Sequence, residues 1–328
     1  MPDVVCSHIF GANWRSKATN LVSGRFIVEI PVPLEDVLVT GGSGRLGGFV
    51  VAELRSYYRV STLDRPETLP APDAPANILD LPALDRALRG RHAVVHLAAI
   101  DAAVPAPAAT IFDTNVRGTW NVLEAAQRNG VRRVVLCSSV SALGVDFTNP
   151  GLPPAYLPID EDHPLRPTHP YGLSKQLGED IGRSFARRGP MGITCIRPAW
   201  IMFPDTLAWL VGHLRSTPDA GPAREPLPLL RSYVAPEDVA RAARLALQRR
   251  DSGFARYFIT ANDTFEPRPT LEHLRDLYGS LPEIRKPERY RQNPHASAYD
   301  TALAHEELGW APSGGWHDLV RQVESRPI

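Results

Sequence analysis

The segment Tyr171-Gly172-Leu173-Ser174-Lys175 places a phenol and an ammonium four residues apart. On a helix, that spacing puts both side chains on one face. A cation beside a phenol favours phenolate and draws a pKa that starts near ~10 toward neutral pH. The pair is therefore a candidate general acid/base for a reaction at a carbon–oxygen bond. Helices also carry such pairs by accident, so the surroundings decide. Far upstream, Thr40-Gly41-Gly42-Ser43-Gly44-Arg45-Leu46-Gly47 follows the apolar run Val37-Leu38-Val39 and precedes an amphipathic stretch, Phe49 to Leu54. Glycines at 41, 44 and 47 permit a tight turn, close approach of a pyrophosphate to backbone, and close packing of helix on strand. The helix N-terminus adds free N–H donors and the positive end of its dipole. Asp64 ends the next apolar strand, Arg59 to Asp64, twenty residues beyond Gly44. A carboxylate there accepts adenosine ribose hydroxyls and repels a 2′-phosphate, which points to NAD. Arg65 keeps NADP open, because a guanidinium beside that site can pair with the extra phosphate.

Elements that position these groups follow in alternation. Leu84 to Leu88 reads as helix, Ala93 to Ala99 as strand, Asn115 to Asn129 as helix and Arg133 to Ser139 as strand. A long helix from Tyr171 to Arg188 and a strand from Gly192 to Arg197 come next. Such alternation predicts an α/β fold, a doubly wound parallel Rossmann sheet whose ligands bind beyond the carboxyl ends of the strands. Ser139 and the loop after Arg197 fall at such ends. Further helices are expected over 238–249, 271–278 and 301–308, with a strand over 256–260, forming a smaller C-terminal α/β substrate lobe. The division expected is an extension over 1–34, a cofactor-binding unit over 35–198 and a mainly substrate-binding lobe over 199–328, some segments of which return to the first unit. Arg25 to Ile30 alternates like a strand, without a functional reading.

Composition narrows the class. The 328 residues supply ample core, and 36 basic residues balance 36 acidic ones, so no nucleic-acid or anionic-membrane footprint is present. Cys6, Cys137 and Cys195 are few, odd in number and far apart, consistent with a reducing, cytoplasmic setting. No secretory signal or apolar membrane span is evident. The ten histidines lack ligand spacing, so no metal is expected, and His96 reads as a core residue at a strand end. The 32 prolines gather at 150–170 and 218–228, which predicts stiff loops suited to cleft walls.

These residues together resemble the extended short-chain dehydrogenase/reductases of the NAD-dependent epimerase/dehydratase family. The matching motifs are Thr40-Gly41-x-x-Gly44-x-x-Gly47, His96-Leu97-Ala98-Ala99, Asn115-Val116-x-Gly118-Thr119-x-Asn121-Val122-Leu123 and Ser138-Ser139. Tyr171-x-x-x-Lys175, Arg197-Pro198, Tyr233-Val234-x-x-x-Asp238-Val239-Ala240 and Glu307-Leu308-Gly309-Trp310-x-Pro312 continue the series. The resemblance implies Tyr171 as catalytic acid/base, Lys175 as the residue that lowers its pKa and holds the nicotinamide ribose, and Ser139, ahead of Ser138, as the hydroxyl on the reacting oxygen. It implies cofactor contacts from Gly41, Gly44, Arg45, Leu46, Gly47, Asp64, Leu97, Ala98, Ala99, Asn115, Tyr171, Lys175 and Pro198. Asn77-Ile78 stand where an Asp-Ile or Asp-Leu pair usually meets adenine, and the amide still serves. Ser139, Ser141, Trp200 and Arg231 are the implied substrate contacts. A homodimer is implied through the helices at 115–129 and 171–188.

Departures refine the chemistry. Val140-Ser141 replaces the Asp-Glu that the family's 4,6-dehydratases use to eliminate water, so dehydration is not expected. Leu143 replaces a common tyrosine, and Ala199-Trp200-Ile201-Met202-Phe203 forms an apolar wall where nucleotide-sugar epimerases have an asparagine. Arg231 matches the arginine those enzymes use on the substrate diphosphate, whereas their longer preceding insert is absent. Arg289, Arg291 and His295 fall in the segment that closes over substrate. The expected activity is that of an NAD-dependent oxidoreductase or epimerase, with hydride transfer at a carbinol carbon of a sugar or sugar nucleotide. The alternatives are a dehydrogenase on a smaller compound such as a uronate, and a non-catalytic cofactor-binding regulator.

Overall fold

Val37, Leu38 and Val39 are completely buried, and the strand they form, β1 (Asp36–Thr40), lies inside a seven-stranded parallel sheet. The computed structural model describes residues 34–145, 151–216, 228 and 230–324. The expected strand at Arg25 to Ile30 and most of the 218–228 loop lie outside them. The sheet's other strands are β2 (Arg59–Asp64), β3 (Ala74–Pro75), β4 (Ala93–His96), β5 (Arg133–Cys137), and then, after the short β6 (Tyr156–Leu157), β7 (Gly192–Pro198). Two further short strands, β8 (Trp200–Ile201) and β9 (Tyr233–Val234), precede the last sheet strand, β10 (Phe254–Ile259), and β11 (Glu283–Ile284) follows it. The order is β10-β7-β5-β4-β1-β2-β3, while β6 pairs with β11 and β8 with β9. The chain leaves β1 in one direction toward β3 and returns on the other side at β4. The carboxyl ends of β1 and β4 therefore border the crevice where such sheets take ligands.

Alternation of side chains sends Val37 and Val39 to one face of the sheet and Leu38 to the other. On the first face they pack with α1 (Arg45–Arg55) and, further along the chain, with Val239 to Leu247 and Trp310. On the second face Leu38, Val94 and Val134 meet α2 (Leu81–Leu88), and beyond α3 (Ala108–Phe112) they meet α4 (Gly118–Arg128) and α5 (Pro170–Ala186). This is the doubly wound arrangement expected from the sequence. After α6 (Pro204–Ser216), helix α7 (Pro236–Leu247) packs on α1, and β10 completes the sheet edge. Later segments form α8 (Thr270–Tyr278), α9 (Pro287–Gln292), α10 (Ala302–Leu308) and α11 (Trp316–Glu324).

Several boundaries differ from expectation, α2 beginning at Leu81 and α7 at Pro236 among them. β4 stops at His96 and β5 at Cys137, and of the residues that follow, Ala98, Ala99 and Ser138 line a crevice with Asn115, Ser174 and Lys175. The helix expected over 115–129 opens instead with a π-helical turn, Asp113–Arg117, that runs into α4. The proline-rich 150–170 stretch contains β6 as well as loop. Among the described residues no helix is long and apolar enough to cross a membrane, and no cluster of side chains has metal-ligand character.

Candidate active site

The glycine-rich turn is built for close contact. Gly41 has φ +74°, and a Cβ there would lie 2.7 Å from the Ala98 amide nitrogen. A Cβ on Gly47 would come within 2.2 Å of the Gly41 carbonyl oxygen. Both positions thus exclude side chains on packing grounds alone. Gly44 is different: its Cβ would meet only that carbonyl, at 3.2 Å. Gly44 is also the N-cap of α1 and supplies no side-chain cap, which leaves the first-turn N–H groups of Arg45, Leu46 and Gly47 for an anion. These features fit the pyrophosphate of a dinucleotide. Arg45 pairs with Asp205 at the start of α6 and lies 4.2 Å from the Phe203 ring centre, while Leu46 packs into the core.

Asp64 ends β2 beside this turn, where its carboxylate accepts the Ser43 N–H at 3.0 Å. Burial raises its pKa, and the Ser43 and Gly42 donors oppose that shift. Arg65 points its charge to the exposed Glu67 at 3.3 Å. Asp64→Asn keeps an oxygen for Ser43 but removes the charge, so the preference for NAD over NADP is expected to fall about tenfold, measured as the ratio of dissociation constants. Asn77 is exposed and accepts the Leu79 N–H, whereas Ile78 is buried against Gly118 beneath α4.

Tyr171 and Lys175 occupy one face of α5, as the spacing predicts, and the Lys175 ammonium stands 5.4 Å from the Tyr171 ring centre. Lys175 Nζ donates to the Cys137 carbonyl at 2.8 Å. The Ser139 hydroxyl lies near the Tyr171 phenol and draws it toward ionisation. Burial is the larger influence and pushes the phenol above its ordinary value, with the Asp101 charge adding to the rise. Lys175 is pulled below its ordinary value by the same burial, against the pull of Cys137 and Asp101. Spacing therefore predicts the neighbours correctly, and Ser139 counters part of the cost of ionising Tyr171. Spacing carries no information on desolvation, which only the fold reveals. Ser138, the other candidate hydroxyl, donates to Glu179 at 2.6 Å, a buried partner that sequence reasoning misses.

A second network supports the crevice. Asn115, in the π-turn, accepts the Ile100 N–H at 2.7 Å and donates to the Ile100 carbonyl and to Ser174 Oγ, both at 3.0 Å. Its amide thus ties the segment after β4 to the helix bearing Tyr171. Ser174 in turn donates to the Tyr171 carbonyl. His96 joins Thr40 Oγ1 at 2.7 Å and Thr119 Oγ1 at 3.1 Å. Since Thr119 donates to the Asn115 carbonyl, it accepts from His96 Nε2–H, which leaves Nδ1 as acceptor for Thr40. Burial first, and the Lys175 charge second, hold the His96 pKa down to about 3. Below pH 6.5 the unfolded chain binds a proton that native His96 refuses, so stability falls with pH down toward 3. The cost is about 2 kcal/mol at pH 5, and thermal melts of the protein and of His96→Gln between pH 7.5 and 5 check it.

The stretch that follows β7 is apolar. Pro198 and Ala199 are buried, Met202 lies in a core cluster, and Trp200 packs edge-on to Phe265 and Trp209 with ring centres 6.0 and 6.3 Å away. The Ser141 N–H is held by Ser139 Oγ at 3.1 Å, which caps the turn between β5 and α5. Arg231 is 2% exposed and has a positive φ of 52°, with Nε 3.3 Å from the Glu266 carboxylate. Glu266 also faces Arg268 and His273. Arg289 donates to the Tyr299 carbonyl, Arg291 pairs with Glu288, and the His295 N–H is held by Asn293.

Comparison with known proteins agrees with this geometry. Residues 37–259 match the NAD dependent epimerase/dehydratase family. N-acetyl-alpha-D-glucosaminyl-diphospho-ditrans,octacis-undecaprenol 4-epimerase of Escherichia coli O157:H7 is 33% identical over 51% of this chain, which spans about half of that relative (49%). Uronate dehydrogenase of Pseudomonas syringae pv. tomato is 30% identical over 58% of this chain and 72% of its own length. The structure of MoeE5 in complex with UDP-glucuronic acid and NAD superposes with a TM-score of 0.64 at 26% identity, covering 88% of this chain and 97% of that one. With the family match running from β1 to the end of β10, the chain belongs to the NAD-dependent epimerase/dehydratase family and is an NAD-dependent enzyme of the extended short-chain type.

Proposed function

We propose that this enzyme oxidises and reduces a sugar at a carbinol carbon. The observation behind this reading is the meeting of the Tyr171 phenol and Ser139 hydroxyl just beyond β5, with Lys175 one helical turn away. Ser139 donates a hydrogen bond to the reacting oxygen. Tyr171 removes the proton from that oxygen or returns it. Lys175 holds the Cys137 carbonyl and presents its charge to the same space. Bound NAD supplies the hydride acceptor and a positive ring that favours phenolate. Gly44 and the α1 N-terminus receive its pyrophosphate, Asp64 its adenosine ribose, and Leu97, Ala98 and Ala99 form the groove wall.

A second question is substrate size. Arg231 would serve a substrate diphosphate in a sugar-nucleotide epimerase, yet here it is buried against Glu266. A carboxylate in that position competes with an incoming anion. The half-buried Trp200, backed by Phe265, suits the C–H face of a sugar ring. These features favour a free sugar or sugar acid over a nucleotide sugar, and a dehydrogenase over an epimerase. Denaturing the purified protein and quantifying released nucleotide tests the choice. Recovered NAD well below one equivalent, with reduced nicotinamide accumulating on a uronate or aldose, fits the dehydrogenase; near-stoichiometric NAD and turnover of UDP-sugars alone would refute it.

The exposed side chains of Phe112, Trp120 and Leu173, on or beside α3, α4 and α5, support a homodimer joined through those helices. Unpaired Cys137 and Cys195 support a reducing, cytoplasmic location.

A further inference from the structure

Three consecutive residues beyond or at the end of β5 are gripped by three residues of α5 that share one face. The Cys137 carbonyl receives Lys175, the Ser138 hydroxyl donates to Glu179, and the Ser139 hydroxyl meets Tyr171. Two of these rungs belong to the proton-transfer site. The third does not, and it is the most elaborate. Glu179 is 1% exposed, and a carboxylate is found so buried only when paired. Its Oε1 accepts from Ser138 Oγ at 2.6 Å and from Arg197 Nε at 2.7 Å, while Oε2 accepts from Arg197 Nη2 at 2.6 Å. Arg197 is wholly buried near the end of β7, immediately before Pro198. One carboxylate on the helix thus binds the ends of two adjacent strands of the sheet. Such bidentate, charge-assisted pairing fixes geometry more tightly than a single hydrogen bond.

From this ladder we infer that Glu179 is a positioning residue: it sets the register of the β5 end against α5, so that Ser139 and not Ser138 faces the Tyr171 phenol. The helical spacing 171, 175, 179 makes the three rungs a single rigid unit. Without the middle rung, Ser138 is released from Glu179 and Ser139 loses its fixed approach. A displacement of that kind lowers the rate at the chemical step more than it weakens cofactor and sugar binding, because the Glu179 carboxylate is buried and held by Ser138 and Arg197. The inference rests on the proton-transfer roles proposed for Tyr171 and Ser139.

The test uses the full-length enzyme with whichever sugar the wild type turns over. Ser138→Ala removes the middle rung and keeps the Glu179–Arg197 pair, so folding is preserved. Its kcat is expected to fall about tenfold with KM for NAD and sugar within about twofold. Glu179→Gln is expected to lower kcat about a hundredfold, and the loss should shrink to less than about threefold in a Tyr171→Phe background, since the effect acts through the phenol. Wild-type kcat in Ser138→Ala, or an equal loss from Glu179→Gln with and without the Tyr171 hydroxyl, overturns the inference. If Glu179→Gln does not fold, Ser138→Ala decides alone. A Tyr171→Phe enzyme with full activity would instead refute the underlying site, a result independent of Glu179.

Discussion

Tyr171→Phe is expected to lower kcat by about a thousandfold while NAD binds as in the wild type, the magnitude of a lost general acid/base. The substitution removes one oxygen from a buried side chain and leaves the ring packed, so the fold is retained. It also removes the partner of Ser139, leaving that hydroxyl to bind the reacting oxygen alone. Titration with NAD, followed by steady-state kinetics on the same preparation, separates the two effects. Unchanged affinity with collapsed kcat assigns the phenol to the chemical step; unchanged kcat would mean that the proton leaves by another route. Lys175 offers a contrast. Its ammonium is bound to the Cys137 carbonyl, so Lys175→Met disturbs the β5 end as well as the charge near the nicotinamide.

Gly47→Ala is the second large expected effect. A methyl there would stand 2.2 Å from the Gly41 carbonyl oxygen and 2.5 Å from that of Gly42, both backbone atoms that cannot rotate aside. Helix and turn must separate, at a cost of about 3 kcal/mol. The displacement moves the α1 N-terminus away from the turn, so NAD affinity is expected to drop more than about a hundredfold. Gly48 provides the control, because nothing lies within 4 Å of a Cβ built there. Gly48→Ala in the same helix is expected to be neutral or to stabilise by up to about 1 kcal/mol. Thermal denaturation and calorimetric titration of both variants distinguish local packing from a general intolerance of substitution in α1.

The cradle is legible in the sequence because its determinants are local. An apolar strand, glycines at fixed offsets and an amphipathic helix lie within twenty residues, and Asp64 ends the next strand at the expected distance. Sheet and helix order are legible for the same reason, since each buried strand announces itself by a short β-branched run. What the sequence conceals is burial of charge. Spacing places Lys175 beside Tyr171 but says nothing of desolvation, which pushes the phenol up and the lysine down. Glu179 does leave a signal in the sequence: it extends the Tyr171–Lys175 face by one more turn, and Arg197 sits in an otherwise apolar strand. A buried arginine on a strand demands a carboxylate, and helix α5 provides it. Arg231 illustrates the reverse. Its match to a diphosphate-binding arginine is visible in sequence, but its partner Glu266 lies 35 residues away and meets it only in the fold.

The central claim is reversible hydride transfer from a carbinol carbon under the control of Tyr171. The most direct test loads the enzyme with NAD, adds free sugars, sugar acids and UDP-sugars in turn, and follows the near-ultraviolet absorbance of reduced nicotinamide in the first turnover. The account predicts a rise with at least one sugar, continuing over many turnovers for a dehydrogenase or stopping below one equivalent for an epimerase, and lost in Tyr171→Phe. No rise with any sugar, or a rise of wild-type rate in the phenylalanine variant, would contradict it.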